Sequence, residues 1–297
     1  MVDIASVPQA TRPSSTRRAS SNLGRPAGPR IGRVALRVVV IGYVGLLVAW
    51  PVSLVFWNTF ADGLAPVIET FTDPLVLASL RLTAIAAAWS VVLNVVFGVT
   101  VSLVLVRYEF PGKRLLNAVL DLPLSVSPVV VGLSIVLVYE STRGIFGVPL
   151  AAAGIQVLFS TPGIILATTF IAMPLVIREI VPVLTEVGTE QEQAARSLGA
   201  SGPQTFWRIT IPAIRWGLTY GVVLCLARSI GEFGAVKVVS GNLIGQTQTA
   251  TLMVEQMYFD FDQEQAFAVA GLLASISIIA IVVVSVLRSR AEKKGIS

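Results

Sequence analysis

Arg228 and Glu232 stand four residues apart in a stretch, Trp216 to about Val239, whose only other charge is Lys237. In a membrane a central arginine costs about 2.5–3.5 kcal/mol on insertion scales, so it faces protein interior or water rather than lipid. On a helix, residues i and i+4 share a face, and these two side chains can pair. Two roles are open to them. The pair can be a neutralised strut that fixes helix packing, or Arg228 can present positive potential to an anion. Lys237, nearer the end of the stretch, can snorkel to the surface.

Little else in the chain could do chemistry. It has no histidine and one cysteine, Cys225. That excludes a serine–histidine–acid triad, a cysteine–histidine pair, a histidine-rich metal site and an internal disulfide. The glycine–lysine pair Gly112-Lys113 lacks the upstream glycine and the following Ser/Thr of a phosphate-binding loop. No nucleotide, metal or other cofactor site is expected in this chain, and no enzyme activity of its own.

A second constellation lies at about 185–213. Thr189 with Glu192 three positions on spells a capping box, and Glu190 and Glu192 suit the positive end of a helix. Gln193, Ala194, Ala195 and Leu198 continue that helix, and Gly199 follows, where a left-handed turn would end it. Ser201-Gly202-Pro203-Gln204 then restarts a second short helix. Phe206, Trp207, Ile209 and Ile211 give it an apolar face, and Pro212 is expected to stop it. Two short helices at a membrane surface can dock a soluble partner.

The elements that position these residues follow from composition. Of 297 residues, 54% are hydrophobic and 13% charged, with a mean hydropathy of +0.79. An average soluble domain is roughly a quarter charged, so the expected solvent is a bilayer. A crossing helix needs about 20 apolar residues. Six spans are expected, at about 38–58, 82–106, 119–139, 161–181, 216–239 and 265–287, within a domain covering 34–290. Pro149, Gly154 and Pro162 interrupt the apolar run after Arg143, so about 144–160 reads as a surface or re-entrant segment. Pro123 and Pro128 should break or kink the third span. Residues 1–33, rich in Ser, Pro, Gly and Arg, read as a disordered basic tail. Ser90, Asn94, Gly98 and Ser102 form a small, polar stripe on the second span, suited to helix packing or to lining a pore.

Charge sets the expected orientation. With both termini cytoplasmic, 18 of the 22 Lys/Arg lie inside, while Arg81 and Arg143 alone lie outside. That split follows the positive-inside rule. The basic balance therefore points to a multi-pass plasma-membrane protein rather than to nucleic acid.

Gln193-Ala194-Ala195, Gly199 and the closing Ile209-Thr210-Ile211-Pro212 resemble the cytoplasmic signature of ABC importer permeases. Gln193 replaces the acid of that signature and Ile211 its leucine. Asp121-Leu122-Pro123, Ser127-Pro128-Val129-Val130-Val131-Gly132 and Arg178-Glu179 resemble the oxyanion branch of the family. The segment Ala227-Arg228-Ser229-Ile230-Gly231-Glu232-Phe233-Gly234 is most similar to the W-type permease of sulfate/thiosulfate importers. Similarity covers about residues 75–290.

The resemblance implies an all-α fold of the type I ABC importer permease, working by alternating access. It makes Gln193, Ala194, Ala195, Gly199, Ile209 and Pro212 the residues that couple to an ATPase. Arg228, Glu232, Ser127, Pro128 and Asn94 become candidates for the translocation path, where a divalent oxyanion would meet Arg228. The implied partners are a second permease of similar fold, two ATPase subunits that carry ATP and Mg, and an extracytoplasmic oxyanion-binding protein. Molybdate or tungstate import is the alternative within the family. Ion-coupled secondary transport is the alternative outside it, opposed by the lack of a lone acid in a span.

Overall fold

A computed structural model describes residues 30–293, with side chains from 36 to 287. The expectation for the tail lies outside these residues except at its end, where a helix already begins at Arg30. Every regular element among the described residues is a helix. In chain order they are α1 (Arg30–Val44), α2 (Trp50–Phe60), α3 (Ala65–Thr72), α4 (Pro74–Arg107), α5 (Lys113–Ser125), α6 (Pro128–Tyr139) and α7 (Gly147–Ala152). Then follow α8 (Thr161–Val187), α9 (Glu190–Ser197), α10 (Gly202–Thr205), α11 (Ile211–Ile230), α12 (Gly234–Val239), α13 (Ala250–Phe259) and α14 (Gln263–Lys293).

The chain divides into two compact units after Pro51. In the first, α1 passes into a π-helical turn at Gly45–Ala49 that leads to α2. Leu36–Phe60 is one of five stretches long and apolar enough to cross a membrane among the described residues. The others are Pro74–Arg107, Thr161–Val187, Gly202–Ile230 and Gln263–Leu287. A sixth span exists only if α5 and α6 count together, and they are bent by 113°. The third span expected at 119–139, with a break or kink at its prolines, is thus two helices, Lys113–Ser125 and Pro128–Tyr139. Pro128 lacks the N–H that would join it to the preceding turn, so the helix stops at Ser125 and restarts.

The second unit is organised around α4, α8 and α11. α4 is capped by Asp73, whose carboxylate accepts the Leu75 N–H at 2.7 Å, and runs 34 residues from Pro74. Its start lies eight residues before the expected span. Val99, Val176, Ile180, Leu184, Ile214 and Cys225 pack together where the three helices meet. The small stripe faces this junction: Ser90, Asn94 and Ser102 have no exposed surface. A Cβ on Gly98 would lie 2.8 Å from Val176 Cγ1, so glycine is what lets α4 and α8 touch. The stripe is packing within one chain.

α12 and α13 depart from the expected pattern. The fifth span was expected to be continuous over 216–239, but α11 ends at Ile230 and the chain breaks at 231–233 before α12. α13 lies in a segment that the span pattern leaves without a helix, and it packs Ala250 and Met253 against Val76 of α4 and Val269 of α14. Ala250 donates its N–H to Thr83 Oγ1 at 2.8 Å, which fixes the start of α13 on α4.

Candidate functional site

The loop at 185–213 is shorter than expected. α8 continues to Val187, and the helix restarts at Gly202, leaving 188–201 outside the long helices. Pro212 does not stop the second helix. Phe206–Thr210 forms a π-helical turn in which the Ile211 N–H reaches back to Phe206 O, and α11 follows directly. A wide turn of this kind makes room for a proline ring whose own N–H is missing. The second short helix is thus the first turn of the fifth span. Its start is a capping box, with the Ser201 N–H donating to Gln204 Oε1 at 2.9 Å.

Glu192 is not a cap, and this corrects the expected box at Thr189. Its side chain turns inward instead. Oε1 accepts from Arg107 Nη2 at 3.1 Å and from the Thr210 hydroxyl at 2.9 Å. Arg107 Nη1 also donates to Leu184 O at 3.3 Å. Both charged side chains are about nine-tenths buried. Beside them lies a cleft of about 370 Å³, lined among others by Thr189, Arg196 and Thr205. Gln193 and Ala194 of α9 are exposed, and Ala195 is half-buried. Gly199 is exposed at φ +86°, with nothing within 4 Å of where a Cβ would sit. Ile209 is half-buried and Pro212 exposed. Leu198 and Trp207 project from this end at 90% and 68% exposure.

The second site is the break in the fifth span. Arg228 lies in the last turn of α11, and Glu232 beyond the helix end. Their pairing is closed by the turn at Gly231 rather than by a shared helical face. Arg228 Nη1 meets Glu232 Oε2 at 2.5 Å, with the carboxylate buried and the guanidinium 36% exposed. Glu232 Oε1 accepts the Ala235 N–H at 3.0 Å, and its backbone O accepts the Thr251 hydroxyl at 2.8 Å. One residue thus ties α11, α12 and α13 together. Lys237 does not reach for the surface alone. It pairs with Glu255 of α13 and lies 5.3 Å from the Phe233 ring centroid.

The break in the third span faces this one. Ser127 precedes α6, and its carbonyl accepts the Val130 and Val131 N–H groups. A Cβ on Gly234 would lie 2.9 Å from Pro128 Cβ, and one on Gly132 would lie 2.9 Å from Ala235 O. Pro128 therefore belongs with the 231–235 break. Asn94 does not, because its amide donates to Ser90 Oγ and Cys225 Sγ inside the helix packing. Asp121 and Arg178, on α5 and α8, form a third arginine–carboxylate pair at 2.9 Å with both side chains more than half exposed.

The Arg107–Glu192–Thr210 cluster was missed in the sequence because its members lie far apart. One signal was available: Arg107 ends a long uncharged run without an acid three or four residues away.

The family described as binding-protein-dependent transport system inner membrane component matches residues 94–292. Sulfate permease 2, chloroplastic, of Chlamydomonas reinhardtii is 47% identical, over 86% of this chain and 69% of its own. Sulfate transport system permease protein CysW of Synechocystis is 46% identical, over 86% and 92%. Sulfate transport system permease protein CysT of Escherichia coli K12 is 35% identical, over 84% and 89%. A solved bacterial alginate ABC transporter, in complex with a periplasmic protein bound to an alginate pentasaccharide, shares the fold. Its matching chain has a TM-score of 0.67 at 15% identity, over 89% of this chain and 94% of its own.

Proposed function

The chain belongs to the binding-protein-dependent transport system inner membrane component family, and from that membership we propose that it is the W-type permease subunit of an ATP-driven sulfate/thiosulfate importer. The observation that carries the substrate class is 46% identity across nearly the whole of a CysW sulfate permease. The proposed partners are a second permease of the CysT kind, two ATPase subunits that bind ATP and Mg, and an extracytoplasmic binding protein. The charge split supports a plasma-membrane orientation with both termini cytoplasmic. That orientation puts α9 on the ATPase side.

The geometry suits this role at both ends. On α9, Gln193 and Ala194 are exposed to a partner while Glu192 turns inward. Gly199 sets the turn after α9, and Ile209 and Pro212 set the entry into the fifth span. At the break in the fifth span, Arg228 keeps about a third of its side chain exposed, while the buried Glu232 carboxylate partly offsets its charge. A permeating dianion needs enough attraction to enter and little enough to leave, and a half-compensated arginine meets both needs. Ion-coupled transport has less support, since the acid of the fifth span is held by Arg228 and a backbone N–H.

The test is radiolabelled sulfate uptake into proteoliposomes holding the full complex and its binding protein. Uptake is expected with ATP inside the nucleotide-accessible compartment, with excess molybdate competing poorly. Uptake driven by an ion gradient without ATP would overturn the proposal.

A further inference from the structure

We propose that Glu192 is the positioning residue through which displacement of α9 reaches the membrane helices, an inference that rests on the importer reading above. A single carboxylate oxygen takes one donor from the last residue of α4 and another from the π-helical turn that feeds α11. Arg107 in turn holds one carbonyl of the last turn of α8, Leu184 O. The first turn of α9 is therefore joined at one buried point to the ends of α4, α8 and α11, the three helices that build the core.

Burial gives this junction its stiffness. An ion pair with both side chains about 11% exposed is little screened, and opening it would leave a charge without a partner. α9 otherwise packs lightly against α10 and the π-helical turn, and Gly188 and Gly199 sit at its two chain ends at positive φ. Glycine hinges at both ends allow α9 to tilt as a unit, and Glu192 is what makes the spans follow. A carboxylate used as a helix cap would satisfy only its own helix. Turned inward, it links elements 85 and 18 residues away.

The experiment compares wild type with Glu192→Gln and Thr210→Val in proteoliposomes containing the whole complex. ATPase capture, binding-protein-stimulated ATP hydrolysis and sulfate uptake are read on the same vesicles. Both variants should capture the ATPase and hydrolyse ATP, while uptake per ATP falls about tenfold for Glu192→Gln, the loss of one charge-assisted hydrogen bond. Thr210→Val should fall less, and Thr210→Ser should match wild type. A coupling ratio at the wild-type value in Glu192→Gln would overturn the relay. So would loss of ATPase capture in both variants, because the cluster would then build the docking face rather than transmit its motion. Absence of ATP-driven sulfate uptake in the wild type is a different result, and it would sink the importer reading itself.

Discussion

Two arginine–glutamate pairs do different work at the two ends of this subunit. Arg107–Glu192 joins residues far apart in the chain and seals both side chains. Arg228–Glu232 joins near neighbours, buries the acid and leaves the base about one-third exposed. The first shows only about a tenth of each side chain, at the cleft beside it, and acts by holding helices together. The second has a more open face, and it lies where two spans are broken and their breaks meet. The difference shows that a charge in such a protein is read by what remains exposed after pairing, since both pairs lie within hydrogen-bonding distance.

The largest expected effect tests that distinction. Glu232→Ala strips Arg228 of its partner and the Ala235 N–H of its acceptor, a class of change that costs about 3–5 kcal/mol. Purified protein in detergent should show a clear loss of thermal stability. Neutralising both members, Arg228→Gln with Glu232→Gln, should recover most of that stability. Sulfate uptake should stay low in the double variant if the exposed guanidinium meets the anion. Recovery of uptake would mean that both pairs are struts, and the comparison would collapse.

A smaller effect tests the meeting of the breaks. A methyl on Gly132 would press on the Ala235 carbonyl and the Val238 side chain, each at 2.9 Å. Backbone cannot swing aside as a long side chain can, so Gly132→Ala should cost about 1–3 kcal/mol. The loss should show as a lower unfolding temperature together with slower uptake. An unchanged unfolding temperature would mean that α6 and α12 are not held this closely.

How much of this was legible in the sequence differs between the same two regions. Arg228 and Glu232 announced themselves by four-residue spacing in an apolar run, although the helix ends between them and a turn closes the pair. The glycine at 199 was readable because helix-stop chemistry is local. Glu192 was misread for the same reason: Thr189-x-x-Glu192 is a complete local pattern, and nothing nearby betrays that Arg107 competes for the carboxylate. Pro123 and Pro128 marked a break but not its 113° bend, which packing against α12 decides. α13 escaped because ten residues with a glutamate resemble neither a span nor a surface helix.

Gly199→Val acts at the α9 end without touching either pair. No atom lies within 4 Å of the added Cβ, so the cost is backbone strain alone, about 1–2 kcal/mol at φ +86°. Membrane abundance should stay near normal while transport and stimulated ATP hydrolysis fall together. Gly199→Asn, which tolerates a left-handed backbone, should retain most activity. This separates Gly199 from Glu192, whose replacement should lower transport without lowering hydrolysis. Equal activity of the valine and asparagine variants would remove the turn from the account.

The smallest effect belongs to the third pair, and it sharpens what the first two teach. Arg178 donates to Asp121 Oδ1 from Nε at 3.2 Å and Nη2 at 2.9 Å, a geometry no poorer than that of Arg107 and Glu192. Both of its side chains are more than half exposed, so solvent screens the attraction and side-chain freedom offsets much of the rest. Asp121→Asn should change stability by less than about 1 kcal/mol, close to the resolution of a melting experiment. The effect should shrink further in high salt, whereas that of Glu232→Ala should persist because its carboxylate is shielded from ions. A loss for Asp121→Asn as large as that for Glu232→Ala, and insensitive to salt, would show this pair buried in the assembled importer. The partner subunit would then have to cover α5 and the adjoining face of α8, and burial rather than geometry would again set the worth of the contact.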